Sequence, residues 1–165
     1  MIKIRSVVVT DAKELLSIYT PYIKETAITF ETTVPTEEEF SQRVEKILQN
    51  FPYLVAVEEK KILGYAYASP YYNRSAYDWT VELSVYVAQD ARGKGVGGLL
   101  YCHLEEVLLK RGFKNLLACI ALQNDASLKL HEKMGYEQVA HFKKVGYKFG
   151  VWHDIVWLQK SFVEE

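Results

Sequence analysis

The chain is most informative in residues 80–98, which run TVELSVYVAQDARGKGVGG. The first eight residues alternate, with Val81 and Leu83 on one face and Glu82 on the other, a pattern that predicts a half-buried β-strand. Four of the six residues from Gly93 to Gly98 are glycines. Because ordering glycine costs more backbone entropy than ordering any other residue, this density indicates that the loop binds something.

A helix and a second strand follow the loop. The amphipathic stretch from Val96 to Arg111 ends at Gly112, the residue type expected just beyond a helix. Residues 115–122 form a nearly continuous apolar run, typical of a buried central strand, in which Cys119 is expected to be a small core residue. The order of strand, glycine loop, helix and strand predicts a βαβ unit.

The remaining sequence alternates between strand and helix patterns. The further predicted elements are a strand at 2–8, a helix from Asp11 that Pro21 is expected to kink, a helix after the capping box Thr36-Glu-Glu-Glu39, a hairpin of strands 53–58 and 62–69, a helix at 124–134, and two strands at about 136–145 and 152–160 around Gly146 and Gly150. We therefore expect one α/β domain over residues 1–165, with a mixed, mostly antiparallel sheet flanked by helices.

Composition excludes several classes of protein and partner. With 49% apolar and 25% charged residues, the 165-residue chain is neither disordered nor membrane-spanning. A net charge of −1 argues against nucleic acid as a partner. Two cysteines and four scattered histidines argue against a disulfide module and against a metal site. The N-terminus alternates like a strand rather than a signal peptide, so we expect a cytoplasmic protein with no membrane partner.

The glycine loop lies where backbone N–H groups and the helix dipole favour a phosphate, and Arg92 and Lys94 add positive charge. A Walker loop is excluded because Gly93-Lys94 is followed by glycine rather than serine or threonine. A dinucleotide fingerprint is present as Gly93, Gly95 and Gly98 and stays an alternative, although no acidic residue ends the next strand. The third possibility is an acyl-coenzyme A loop, matched by Arg92, Gly95 and Gly97.

Two segments resemble a known superfamily. Residues 85–97, VYVAQDARGKGVG, and 124–136, NDASLKLHEKMGY, are similar to conserved segments of the GNAT superfamily of N-acetyltransferases. Residues 29–31, 76–82 and 150–154 further resemble its phosphinothricin acetyltransferase-like branch. The resemblance implies a GNAT fold of about six to seven strands and about four helices, acetyl-CoA as co-substrate, no metal, a small-molecule amine acceptor and a homodimer.

The same resemblance assigns candidate site residues. It implies that Glu82 is the general base and that His131 acts as an acid, a second base or a positioning group; the alternatives are a solvent-facing glutamate and a hydrogen-bonded histidine. Asn124 is a coenzyme A contact, a helix N-cap, or both. The cofactor-binding candidates are Val85, Tyr86, Val87, Arg92, Gly93, Lys94, Gly95, Val96, Gly97, Gly98, Asn124 and Ser127.

The acceptor pocket is expected to contain Phe30, Glu31, Tyr72, Arg74 and Tyr77. Arg74 and Tyr77 are the choices for gripping an acceptor carboxylate, and Tyr72 stands where relatives tend to carry an additional arginine. Six of the twelve tyrosines fall within residues 65–86, which favours an aromatic acceptor pocket over core filling.

The predicted function is acetyl transfer from acetyl-CoA to the primary amine of a small molecule, an amino acid or an analogue such as phosphinothricin or methionine sulfoximine, directly in a ternary complex. One alternative within the enzymes is acetylation of a protein N-terminus or lysine. A non-enzyme alternative is an acyl-CoA or nucleotide-binding sensor module.

Overall fold

The helices and strands lie close to their predicted positions in the structure, a computed structural model that describes residues 1–164. In chain order the elements are β1 (Lys3–Ser6), α1 (Ala12–Glu25), α2 (Glu37–Leu48), β2 (Tyr53–Glu58), β3 (Lys61–Pro70), β4 (Thr80–Val87), α3 (Val96–Lys110), β5 (Asn115–Ala121), α4 (Asp125–Lys133), β6 (Glu137–Lys148) and β7 (Val151–Ser161). Short 3-10 turns lie at Val9–Asp11, Ser75–Tyr77 and Gln89–Ala91.

In the described part of the chain, seven strands form one mixed sheet in the order β1-β2-β3-β4-β5-β7-β6. β4 pairs with β5 in parallel, with Glu82 opposite Leu117. The pairs β1/β2, β2/β3, β5/β7 and β6/β7 are antiparallel. Because α3 connects the two parallel strands, the predicted βαβ unit is confirmed, as is the fold class with its mostly antiparallel sheet and four α-helices among residues 1–164.

The chain divides into two compact units. The first contains Met1–Thr20, Pro35–Ser69 and Leu83–Gly112. The second contains Pro21–Val34, Pro70–Glu82 and the described residues from Phe113 onward. The single-domain boundary of 1–165 stays a prediction.

Local sequence rules set several helix ends. Glu39 N donates to Thr36 Oγ1 at 3.1 Å and Thr36 N donates to Glu39 Oε2 at 3.3 Å, so the capping box is confirmed. Gly112 follows α3 with φ at +94°, as its expected place beyond the helix end requires. Pro21 lies inside α1, which continues to Glu25.

Aromatic rings fill much of the first unit. Tyr65 is 1% exposed, and its ring lies 5.6 Å from that of Tyr86 and 5.9 Å from that of Tyr53. Together with Tyr19, at 4.8 Å from Tyr86, and Tyr67, at 4.8 Å from Tyr53, they form what we call the core tyrosine cluster. For Tyr65 the expectation of an acceptor pocket is wrong, because its ring is buried against other rings of this cluster, in which Tyr67 and Tyr86 also pack.

The second unit has a core on alternate residues of β5 and β7. Leu116, Ala118, Val156 and Leu158 are buried, whereas Cys119 is exposed. The expectation that Cys119 is a core residue is therefore wrong. An apolar run in β5 conceals an alternation, since successive side chains of a strand point to opposite faces.

The β6–β7 hairpin is longer than predicted. β6 continues to Lys148, and the turn is formed by Phe149 and Gly150, with φ at +54° and +72°. Gly146 was expected near the turn, but it lies within β6, opposite His153. A register shift between Phe142 and Gly146 accompanies this placement.

Candidate active site

The glycine loop of the first unit precedes α3 without a side-chain cap. Gly95 is the N-cap in left-handed conformation, with φ at +76°, and Gly93 has φ at +78°. A Cβ at either position would meet no described atom within 4 Å, so the backbone conformation rather than crowding calls for glycine here. The first intrahelical hydrogen bond runs from Leu99 N to Gly95 O at 3.1 Å. The N–H groups of residues 96–98 therefore form an uncapped helix start, the arrangement that accommodates an anion.

The charged side chains around the loop are of both signs, since Lys94 lines a surface pocket together with Glu58, Glu59 and Asp90. Arg92 and Lys94 are exposed, and the first turn of α3 carries no acidic residue. Asp90, the nearest carboxylate in sequence, forms an ion pair with Lys61, whose hydrogen bond lowers the pKa of Asp90. The loop therefore fits the pyrophosphate of a coenzyme, whose negative charge the dipole and the two cations would offset.

Glu82 is a half-buried carboxylate in β4. Its neighbours Val81 and Leu83 are 0% and 3% exposed, so the predicted alternation is confirmed around Glu82. Further along the strand, Val85 and Val87 are half-buried, as are Ser84 and Tyr86. Loss of water on burial raises the pKa of Glu82. A carboxylate with a raised pKa holds a proton more tightly, which suits a group that accepts one during a reaction.

The charge of this carboxylate affects the pKa values of two side chains in the second unit, Cys119 and Tyr71. Partial desolvation and then the Glu82 charge raise the pKa of the Cys119 thiol to about 11. Loss of water also raises the pKa of Tyr71, with smaller contributions from Tyr72, Tyr77 and Glu82. The Tyr71 ring meets Trp157 edge-on at 5.8 Å, and Trp157 lies opposite Cys119 in the β5/β7 register. The charge of Glu82 thus acts on the Cys119 thiol and the Tyr71 hydroxyl, and Trp157 packs next to Tyr71.

Sequence reasoning missed Cys119 and Trp157 as members of this group. Leu117, opposite Glu82, and Cys119, two residues further along β5, share a sheet face. The available signal was the two-residue period of a β-strand, which places Cys119 on the same face as Leu117. Because both faces of β5 carry apolar residues, the sequence did not show which face is less buried.

Tyr71, Tyr72 and Tyr77 form what we call the loop tyrosine cluster. Tyr71 stacks on Tyr72 at 4.6 Å, and Tyr77 meets both edge-on at 5.4 and 5.8 Å. Tyr77 N bonds to Arg74 O at 2.9 Å, which closes the turn that presents both residues. Tyr72 is 61% exposed and Arg74 is exposed as well. The structure brings these predicted acceptor residues into one aromatic loop.

His131 is buried in α4 at 1% exposure. Its Nδ1 lies 2.7 Å from Ser127 O, so the proton resides on Nδ1, which donates to that carbonyl. Burial lowers the pKa of His131 and keeps the ring neutral, while the Ser127 carbonyl bond partly opposes this. Asn124 Oδ1 accepts from Ser127 N at 3.2 Å and is thus the N-cap of the same helix. The N-cap role of Asn124 is confirmed, and a coenzyme contact remains compatible with it.

Comparison with known proteins gives the family. Residues 4–157 match the acetyltransferase (GNAT) domain family. The chain is 38% identical to a phosphinothricin N-acetyltransferase of Streptomyces viridochromogenes, over 98% of this chain and 88% of the relative. It belongs to the GNAT acetyltransferases.

Further relatives place this acetyltransferase in the predicted branch. An L-methionine sulfoximine/L-methionine sulfone acetyltransferase of Pseudomonas aeruginosa is 35% identical over 94% of this chain and 92% of the relative. The crystal structure of a phosphinothricin acetyltransferase from Sinorhizobium meliloti, in complex with acetyl-CoA, superposes with a TM-score of 0.94 at 35% identity and covers 98% of this chain and 88% of that one. The predicted resemblance and the enzyme class are confirmed, and the dinucleotide fingerprint is not retained.

Within residues 1–164 the acetyltransferase has neither a metal-binding cluster nor a helix that could span a membrane. No group of three or more His, Cys, Asp or Glu side chains is arranged to hold a metal ion there. In the same residues, each helix is too short or too polar to cross a bilayer.

Proposed function

We propose that this enzyme transfers the acetyl group of acetyl-CoA to the primary amine of a small amino acid or analogue, of the phosphinothricin or methionine sulfoximine kind, by direct attack in a ternary complex. The observation that carries the proposal is the half-buried Glu82 carboxylate, whose raised pKa suits proton acceptance and which shares its sheet face with Cys119. The names of the relatives support the choice of acceptor.

The acyl donor is assigned to the glycine loop. Its uncapped helix start and its two cations fit a pyrophosphate, which supports binding by Arg92, Lys94 and the backbone of residues 93–98. Val85, Tyr86 and Val87 contribute through their backbone, since the Tyr86 ring packs in the core tyrosine cluster. Asn124 and Ser127 complete the assignment, and acetyl-CoA supplies the activated thioester.

Glu82 takes a proton from the acceptor ammonium, so that the nitrogen lone pair can attack the thioester carbonyl. The C–S bond then breaks, coenzyme A leaves as the thiolate, and the second proton lost by the nitrogen neutralises that thiolate. His131 is assigned a positioning role in its neutral form, because Nδ1 already donates to the Ser127 carbonyl and burial opposes a second proton. Among the three roles considered for His131, the buried geometry therefore favours positioning over proton donation.

The acceptor is assigned to Phe30, Glu31 and the loop tyrosine cluster. Arg74 pairs with an acceptor carboxylate, because a guanidinium forms two parallel hydrogen bonds to such a group. Tyr72, in place of an arginine, contacts the acceptor through its ring and hydroxyl. Its high exposure supports an open entrance for the acceptor on this side of the second unit.

We assign the β6–β7 hairpin to a homodimer interface. β6 ends the strand order, and large apolar residues of the hairpin are exposed: Val139, Phe142, Val145, Tyr147, Phe149, Val151 and Trp152. Exposed apolar side chains on a hairpin at the sheet edge favour a second copy. Sedimentation of the wild type and of Phe142→Glu tests the dimer, which the variant should weaken.

We expect the cytoplasm as the location, since Cys102 and Cys119 are free thiols.

Release of free coenzyme A from acetyl-CoA tests the function. The acceptors are phosphinothricin, methionine sulfoximine, methionine sulfone, the common amino acids, and peptides with a free N-terminus or lysine. Saturable turnover with a small amino acid supports the proposal. Turnover with peptides alone would establish the protein acetyltransferase alternative, and binding of acetyl-CoA without turnover would establish the sensor.

A further inference from the structure

Strand β6 contains two buried residues in an otherwise accessible sequence. Of its twelve residues, ten are exposed or half-buried, and the buried two are Gly146 and Lys148. A lysine is almost never buried without a partner, and a glycine has no side chain with which to fill a core. Both lie in the part of β6 that contacts the segment Thr29–Glu31, which we call the acceptor segment.

Lys148 holds the backbone of the acceptor segment. Its side chain is buried, with the residue 4% exposed, and Nζ donates to Thr29 O at 2.8 Å. Burial lowers the pKa of Lys148, and the nearby Glu31 carboxylate partly offsets this. The ammonium also lies 5.2 Å from the ring centre of Phe149. One cation thus binds the Thr29 carbonyl and interacts electrostatically with Glu31, the residues on either side of Phe30.

Gly146 provides the surface on which the Phe30 ring lies. A Cβ at this position would fall 2.3 Å from Cε2 and 2.6 Å from Cδ2 and Cζ of Phe30. Only a residue without a side chain therefore lets the Phe30 ring approach the strand this closely. All three atoms belong to the Phe30 ring, so an added methyl group would displace the ring rather than the backbone.

His153 supports this arrangement from the opposite strand. It pairs with Gly146 in the β6/β7 register, and its ring centre lies 6.1 Å from that of Phe30. Gln123 Nε2 donates to His153 Nδ1 at 2.8 Å, so the imidazole proton is on Nε2, which donates to Lys148 O at 3.1 Å. The imidazole is therefore fixed at both nitrogens, and it holds the backbone of Lys148 in turn.

We propose that Gly146 and Lys148 are positioning residues for the acceptor: they fix Phe30 and Glu31 in the geometry that recognises the amine substrate. This inference rests on the proposed function, in which Phe30 and Glu31 bind the acceptor. A purely structural role does not explain the choice of residues, since an apolar side chain would cover this end of the hairpin without burying a charge.

Three variants test the inference by the Michaelis constants of both substrates. Lys148→Met removes the ammonium but keeps a long side chain, Lys148→Arg retains a cation, and Gly146→Ala displaces the Phe30 ring. We expect Lys148→Met and Gly146→Ala to raise the acceptor KM about ten-fold, because misplacement by about 1 Å weakens productive binding. The KM for acetyl-CoA should stay within two-fold, and Lys148→Arg should recover part of the loss.

Lys143→Met is the matched control, since Lys143 is an exposed lysine of the same strand. It should leave both constants unchanged. The inference is overturned if Lys148→Met and Gly146→Ala keep the wild-type acceptor KM, or if both Michaelis constants rise together in proportion to a loss of thermal stability.

Amide hydrogen exchange of residues 29–31 separates this inference from the proposed function. Lys148→Met should speed exchange there at least several-fold, whether or not the wild type acetylates small amines. Faster exchange in a protein that acetylates only peptides would refute the proposed acceptor while keeping the positioning of the segment. Unchanged exchange with an unchanged acceptor KM would refute the inference alone.

Discussion

The core tyrosine cluster and the loop tyrosine cluster place the same type of residue in opposite environments, one buried and the other exposed. In the first, Tyr65 is 1% exposed and its ring contacts other tyrosines of the core. In the second, Tyr72 is 61% exposed, and Tyr71 lies in the electrostatic field of Glu82. A tyrosine is mainly apolar surface when it is buried and an adaptable contact with a polar tip when it is exposed. We therefore expect the core cluster to contribute stability and the loop cluster to contribute recognition.

The largest effect should come from Glu82→Gln, beside the loop cluster. Loss of the proposed general base is expected to lower kcat about 10²- to 10⁴-fold. In the wild type, kcat/KM should fall on acidification through a pKa above the usual glutamate range, because burial raises it. The pH profile of steady-state turnover measures both, and a variant with full activity at every pH would contradict the assignment.

The same substitution should stabilise the fold at neutral pH. A carboxyl group whose pKa is raised on folding contributes stability below its unfolded pKa, and this contribution is lost as the pH rises through the folded value. Glutamine removes the buried charge, so the Tm of Glu82→Gln at pH 7 should exceed that of the wild type. A fall in Tm would instead indicate that the carboxylate has a structural role.

The core cluster should respond in stability rather than in recognition. Tyr65→Ala is expected to reduce the free energy of unfolding by about 3–5 kcal/mol, because it leaves a cavity among the surrounding rings. Urea unfolding measures the loss, and Tyr65→Phe, which retains the ring, should lose much less. The acceptor KM of the folded enzyme should be unchanged, and a selective rise in that constant would break the distinction between the clusters.

Substitution in the loop cluster should change the acceptor KM and leave the stability of the fold nearly unchanged. Tyr72→Ala is expected to change the free energy of unfolding by less than about 0.5 kcal/mol, as for other exposed sites. The acceptor KM should rise about two- to ten-fold, the range expected for one aromatic contact. Tyr72→Phe separates the ring from the hydroxyl. Equal acceptor KM values for wild type and Tyr72→Ala would remove Tyr72 from the acceptor site.

The smallest effect concerns the alkylation rate of Cys119, whose thiol pKa depends in part on the charge of Glu82. With a thiol pKa of about 11, alkylation at pH 8.5 should be slow. Glu82→Gln should accelerate it about two- to three-fold, since desolvation rather than Glu82 is the larger cause of the raised pKa. The measurement uses a Cys102→Ser background. Alkylation of Cys102 in a Cys119→Ser background is the control and should not respond to Glu82→Gln.

Local patterns accounted for the βαβ unit and for several element ends. The alternation around Glu82, the Thr36–Glu39 capping box and the position of Gly112 depend on residues close in sequence, and all three are confirmed. Short-range steric and hydrogen-bonding rules operate equally in a fragment and in the folded chain, so they can be applied to the sequence directly.

Long-range contacts explain where the sequence patterns failed. Gly146 resembles a turn residue, yet it lies within β6 because the Phe30 ring, more than a hundred residues earlier in the chain, occupies the space of its missing side chain. Cys119 lies in an apolar run, yet it is exposed, because the face that β5 presents beside Glu82 depends on its pairing with β4.

The amino-acid sequence was therefore sufficient for the element order, the glycine loop before α3 and the acetyltransferase family. The folded chain was needed to divide the tyrosines between core and loop, to expose Cys119 and to bury Lys148 against the Thr29 carbonyl. Side-chain periodicity specifies which residues share a face of an element. Which face is buried, and what covers it, depends on segments that are distant in sequence and become neighbours when the chain folds.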